Sequence, residues 1–479
     1  MRHLSRFAVA LAALAAAACG SSSHSSNTCD PTSATACGSG QFCEAVQGGQ
    51  PKCFDPVVVT GTAFDLATGK ASGGIQGARI VALDANRAPA GTAATSGPGG
   101  AYTLAVSATR DANGKPVSQV TLRADAAGYQ SFPSGVRTAL PLDLTTAAQV
   151  GGSWTLSSAL SDVGLIKLPG TGGTATIQGT VAIPGSRSGV LVVAEPAGGG
   201  AGVTAIADAH GGYVMYNLPA AAAPGTNYTV TAYGQGANYA PAQVQVASGD
   251  LKTVDLSVAN TATATLGGSL IFNSGASTPT SVTLVVKSTY VAALDRGESP
   301  PGLVAQVPSG NGYTLTGVPD GSYIALAAFG IDGDVRDLSG GGNTAPVDVV
   351  VQSGSLLGGG TTLPQFKLVA AVDLTQIDGI AVGDTGAATA ITSATPVFTW
   401  LKQSSYSNAA TYAVDVYDAF GTNVWTTTQS AVSSGTNTAT YAGTSLAHGM
   451  YYQLRVRALD GAGNQLSQTE DLKGVFYLQ

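Results

Sequence analysis

Apolar and polar residues alternate with a period of two along most of this chain after Pro56, in short runs cut by Gly-, Pro-, Asn- or Asp-bearing turns. No other feature restricts the fold as much, because a period of two puts one face of a strand in a core and the other in water. In Gln119-Val-Thr-Leu-Arg-Ala-Asp125, Val120, Leu122 and Ala124 are expected inside, with Gln119, Thr121, Arg123 and Asp125 outside. Val254, Leu256 and Val258 are expected inside, opposite Thr253, Asp255 and Ser257. Tyr452, Leu454, Val456 and Ala458 are expected inside, opposite Gln453, Arg455 and Arg457. No stretch of helical period is long enough to compete. The pattern predicts an all-β chain of tandem antiparallel β-sandwiches.

Composition narrows what such a chain does. Charged residues are 10% of the sequence, against about 25% in ordinary globular domains. With 21 Lys+Arg against 28 Asp+Glu, there is no basic footprint for nucleic acid. Glu, Lys, Arg and Leu are too scarce for a coiled coil. A hydrophobic share of 44% is too high for disorder driven by charge.

The first residues read as an export address. Two Arg and a His precede the apolar run Phe7 to Ala18, which is too short to span a bilayer but suits a secretory leader. Small residues followed by Cys19-Gly20 resemble the lipobox of bacterial lipoproteins, with Ala16 where that family usually has Leu or Val. The resemblance implies cleavage before Cys19, lipid attachment to it, and passage to the outer membrane, since Asp does not follow. An ordinary leader cut at an Ala-x-Ala site near Ala18 is the alternative. Residues 19–28 are Gly/Ser-rich and read as a flexible tether. The expected location is therefore the bacterial cell envelope, with the membrane as a partner through the anchor.

Five Cys is an odd number, and allotting Cys19 to lipid leaves Cys29, Cys37, Cys43 and Cys53. Four Cys clustered in residues 29–54 of an exported chain predict two disulfides in a segment with too few apolar residues for its own core. A structural zinc site is the rival, but the spacing lacks the usual close Cys pairs. Three pairings remain open.

Residues 57–170 carry Gly61 to Gly69, Ile75 to Leu83, Thr95-Ser-Gly-Pro-Gly-Gly-Ala-Tyr-Thr-Leu104, and Val120 to Gln130 with its Gly128-Tyr129 ending. In order and spacing these resemble the carboxypeptidase regulatory-like domain, which implies a transthyretin-like sandwich. Weaker copies are expected at 174–259, around Gly212-Tyr213, and at 263–370, around Gly312-Tyr313. Residues 371–479 resemble a fibronectin type III or Ig-like domain instead. The resemblance implies that Trp400 fills the core and that Tyr451 or Tyr452 makes a corner hydrogen bond.

The sequence carries none of the common catalytic signatures. His210 and His448 lie in different expected modules, and no H-E-x-x-H, G-x-S-x-G or phosphate-binding Gly motif occurs. No catalytic residue, metal ligand or cofactor is expected. Asp332-Gly-Asp-Val-Arg-Asp337 is expected to be a solvated turn. The leading expectation is a non-enzymatic, lipid-anchored envelope protein whose modules form a stalk or interaction surface, with envelope proteins or polysaccharide as partners. The alternative is a carbohydrate-binding protein, for which Tyr233, Tyr239 and Trp425 are the candidate stacking rings; the favoured reading of such rings is that they cover core edges.

Overall fold

The computed structural model of the chain describes residues 28–30, 37–170, 172–185, 188–272, 279–338 and 346–479. The leader, Cys19 and the tether up to Asn27 lie outside the described residues. Helix among the described residues is limited to five single 3₁₀ turns, and none is long and apolar enough to cross a membrane. The rest is strand and turn, arranged as four β-sandwiches in series behind a small disulfide knot.

In the first sandwich, Val57–Asp65 pairs antiparallel with Ala101–Val106 and parallel with both Ser153–Leu156 and Val163–Leu165. The facing sheet runs Ala94–Thr95, Arg79–Leu83, Gln119–Asp125, Leu142–Asp143. The second sandwich sets Thr174–Thr180 between Gly212–Pro219 and, in parallel, Leu251–Thr253. Val190–Pro196 and Thr226–Gly234 lie in its facing sheet. The third sets Ala264–Phe272 between Gly312–Val318 and, in parallel, Phe366–Ala370. Each of these modules closes by pairing its first strand with a late one in parallel, which period-two patterning alone does not reveal. In the fourth module Thr389–Ile391 pairs in parallel with Val475–Leu478; the other strand pairs are antiparallel.

One cross-strand pair recurs in the first three modules. Gly61 faces Tyr102, Gly179 faces Tyr213 and Gly268 faces Tyr313. The ring lies over the bare glycine, which is how an aromatic compensates a side chain missing from a sheet. In the first two modules the Tyr hydroxyl then donates to a carbonyl beyond it: Tyr102 to Ser161 at 2.5 Å and Tyr213 to Val254 at 2.5 Å. A Cβ on Gly61 or Gly179 would lie about 2 Å from that same carbonyl oxygen, so only glycine fits.

The fourth sandwich lacks this pair. Its core holds Trp400, fully buried and edge-on to Tyr412 at 5.4 Å between ring centroids. Tyr452 accepts the Ala447 amide at 2.8 Å, so it makes the corner bond and Tyr451 does not.

The predicted inward residues Val120, Leu122, Ala124, Leu454, Val456 and Ala458 are buried. Two expectations need correction. Val258 is 41% exposed, because the chain leaves the strand Leu251–Thr253 and starts a new edge strand at Val258. Asp332 to Asp337 is not a solvated turn: Asp334–Arg336 is a strand beside Phe366–Ala370, and Asp334, Arg336 and Asp337 are buried.

Candidate functional site

The predicted outward residues Arg123, Asp125, Gln453 and Arg455 are also buried. Their faces are covered by neighbouring modules, so the sandwiches pack side against side instead of standing end to end as a stalk. One apolar cluster runs from Val81 and Leu83 of the first module through Leu191, Val193, Ile206 and Tyr233 of the second into the core of the third. Another joins Val136 and Ile166 to Leu294 of the third module and to Ala419 and Val475 of the fourth.

Nine arginines are described and none is exposed; most bind across a module boundary. Arg79 of the first module donates to the Ile206 and Gly212 carbonyls of the second, at 3.0 and 2.7 Å. Arg123 holds Asp125 of its own strand, Thr204 of the second module at 3.1 Å and Glu298 of the third at 3.2 Å. Burial alone would lower its guanidinium pKa, but Asp125 and Glu298 raise it above its ordinary value. Arg336 of the third module grips Asp471 of the fourth with both terminal nitrogens, at 2.7 and 3.0 Å. Arg455 reaches back to Asp295 at 2.6 Å and to the Leu294 carbonyl at 2.9 Å. Paired and hydrogen-bonded in this way, the charges tolerate burial.

The four modules meet around a cavity of about 530 Å³. Its wall takes Leu83 and Arg87 from the first module, Ile206 from the second, Leu294 and Arg296 from the third, and Leu472 from the fourth. Arg123 and Arg137 also line it. A smaller cleft of about 340 Å³ lies between the first and fourth modules and shares Arg137.

The knot is docked onto the first module. Phe42–Glu44 pairs with Lys52–Phe54, and the bridges are Cys29–Cys43 and Cys37–Cys53. Three of these sulfurs lie within 4.8 Å of one another, but each is bonded to a partner sulfur, so none is a thiolate available to zinc. Thr28, the last residue of the expected tether, already bridges to Lys52. Glu44 is fully buried, ion-paired to Arg110 and accepting the Ala108 amide at 2.8 Å.

The candidate stacking rings are not brought together, and they turn inward. Tyr233 is buried, edge-on to Tyr323 of the third module at 5.8 Å. Tyr239 is buried and donates to the Ala182 carbonyl at 2.6 Å, and burial pushes its hydroxyl up to about 12. Trp425 is half-buried, with Tyr441 edge-on at 5.2 Å. Tyr233 and Tyr239 are thus not exposed stacking rings but cover core and module edges. His210 and His448 are exposed turn residues of the second and fourth modules.

Sequence reading missed the arginine junction, because period two identifies an outward residue but not what covers it. Nothing in the alternation set Arg123 or Arg455 apart from a solvated outward residue.

Residues 377–473 match the family described as "Rha78A-like, N-terminal immunoglobulin domain", so an Ig-like domain stands at the C-terminal end. No curated protein matches the chain. Among solved structures, the Bacillus anthracis TIE protein is similar at 11% identity and a TM-score of 0.15, over 66% of this chain and 51% of that one. The chain thus spans about half of that protein. The shaft pilin SpaA from Lactobacillus rhamnosus GG matches at 14% identity and a TM-score of 0.16, over 42% of this chain and 96% of the pilin. A tetra-tandem repeat from the extending region of a large adhesion protein matches at 14% identity and a TM-score of 0.14, over 88% of this chain and 99% of the repeat. At TM-scores this low the likenesses carry no argument about function.

Proposed function

We propose that this chain is a non-enzymatic, lipid-anchored protein of the bacterial cell envelope, at the outer membrane, presenting a fixed cluster of four β-sandwiches as an interaction surface. The observation that carries this reading is the module junction. Arg123 and the Arg336–Asp471 and Arg455–Asp295 pairs hold modules that, as separate beads on a chain, would move independently. A cluster held in this way presents its end loops in one geometry, which favours binding by lowering the ordering cost. The repeated Gly–Tyr pairs support reading the first three modules as carboxypeptidase regulatory-like copies.

The anchor rests on Cys19 and the Gly/Ser tether that follows it; lipid chains contribute about 0.8 kcal/mol per buried methylene. Partners are expected among envelope proteins or polysaccharides, bound at loops and not through stacked rings. A fatty-acid label should mark the full chain and be absent from Cys19→Ala; equal labelling of both would refute the anchor. Crosslinking in intact cells, set beside pull-down on insoluble polysaccharide, separates the two partner classes.

A further inference from the structure

Six of the nine described arginines have a carboxylate within 4.0 Å: Arg79, Arg110, Arg123, Arg336, Arg455 and Arg457. The three that form no such ion pair are Arg87, Arg137 and Arg296, and all three line the central cavity. The described arginines without an ion pair are thus gathered at one place.

Each is held there by its surroundings. Arg87 sits in a turn at φ +62°, and the neighbouring Asn86 carbonyl accepts the Gly302 amide of the third module at 3.0 Å. Arg137 lies against the Phe132 and Tyr451 rings at 4.4 and 4.7 Å and donates to the Gly164 carbonyl at 2.7 Å. Arg296 donates to the Asp471 carbonyl at 3.0 Å and makes one long contact of 3.4 Å to the Thr138 hydroxyl. The buried Nε atoms of Arg137 and Arg296 have no hydrogen-bond partner. Arg296 is only 8% exposed. Burial lowers its guanidinium to about 9, with the like charge of Arg455 adding to the effect, and burial lowers Arg137 to about 10. Both stay protonated at neutral pH.

Two acids also line the cavity, and the Glu298 charge favours the Arg87 cation from beyond ion-pair distance. Glu298 binds Arg123, and Asp84 caps the Asn86 and Ala88 amides at 2.8 and 2.9 Å. A buried cation without a paired anion is costly, and a guanidinium fork matches the geometry of a carboxylate or phosphate. Leu83, Val291, Leu294, Phe329 and Leu472 give the wall an apolar part, beside hydroxyls such as those of Thr121, Thr204 and Thr289. A cavity of about 530 Å³ falls in the usual range for small-molecule sites.

We propose that the central cavity binds a small organic oxyanion, its carboxylate or phosphate facing Arg87, Arg137 and Arg296 and its apolar body against the leucine-rich wall. This stands independently of the anchor and of the envelope reading.

The test is calorimetric titration of the full chain with benzoate, phenyl phosphate, inorganic phosphate and the neutral benzyl alcohol. One aromatic anion per chain is expected to bind, at least tenfold more tightly than benzyl alcohol and more weakly as salt rises. Preference for benzoate or for phenyl phosphate identifies the group the site is built for, and either supports the proposal. Because Arg137 and Arg296 also brace the junction, Arg87→Gln is the informative variant. It removes no ion pair, so the melting temperature should hold while affinity falls about tenfold. Binding by neither aromatic anion at millimolar concentration overturns the proposal, as does equal binding of benzyl alcohol. Binding of inorganic phosphate alone, or unchanged affinity in Arg87→Gln, also overturns it.

Discussion

The interior of each sandwich and the junction between sandwiches are both buried, yet they are made of different chemistry. Inside the fourth module Trp400, Phe398, Tyr412 and Phe476 fill space with rings. Between the modules Arg123, Arg336 and Arg455 reach carboxylates and carbonyls on other modules. Apolar contact is indifferent to direction, so a core tolerates many registers of volume. A bidentate guanidinium–carboxylate pair demands one orientation. The core thus supplies cohesion within each module, and the junction specifies how one module sits against the next.

Variants in the two regions should differ in kind as well as size. The largest effects are expected from Trp400→Ala and Asp471→Ala, each costing about 3–5 kcal/mol by denaturant unfolding. The first leaves a cavity inside one module; the second takes away the bidentate partner of buried Arg336 and leaves it only the longer contact to Asp295, at 3.5 Å. Small-angle scattering should show the third and fourth modules separating only in Asp471→Ala. If Trp400→Ala loosens the modules just as much, core and junction are not distinct. Removing one knot bridge with Cys37→Ser/Cys53→Ser should cost about 2–4 kcal/mol and free the knot from Arg110, read as faster amide exchange at Val46 and Gln47.

Acid should act on the junction before the cores. Burial pushes the Asp295 carboxyl up, but Arg336 and Arg455 more than reverse this and hold it below its ordinary value. A carboxylate depressed in the folded state stabilises fully above its unfolded pKa, about 4, and that stabilisation is lost as pH falls through the folded value. Hydrogen exchange across the third–fourth interface should therefore rise below about pH 4 while the sandwich interiors stay protected. Loss of both together would contradict the distinction. The smallest effect is expected from Val258→Ser, on an exposed edge strand, within about 0.5 kcal/mol of the parent.

Legibility followed the same divide. The cores could be read because Val120, Leu122 and Ala124, or Leu454, Val456 and Ala458, face one side by geometry alone. The Gly–Tyr pairs were half legible: the recurring Gly-Tyr hairpins stood out, but the facing glycines Gly61, Gly179 and Gly268 emerged only with the pairing. The roles of Tyr233, Tyr239 and Trp425 were not legible, because an aromatic near a loop has the same spacing whether it meets solvent or protein.

The sequence by itself determined the strand content, the four β-units and the paired cysteines, since local alternation, turn residues and Cys spacing act within one module. Only the tertiary structure decided the cysteine pairing, the parallel closing strands, the lateral packing and the meeting of Arg87, Arg137 and Arg296 at one cavity. Those depend on residues far apart in the chain, such as Arg123 with Glu298 and Arg455 with Asp295, and no local period encodes which outward face another module will cover.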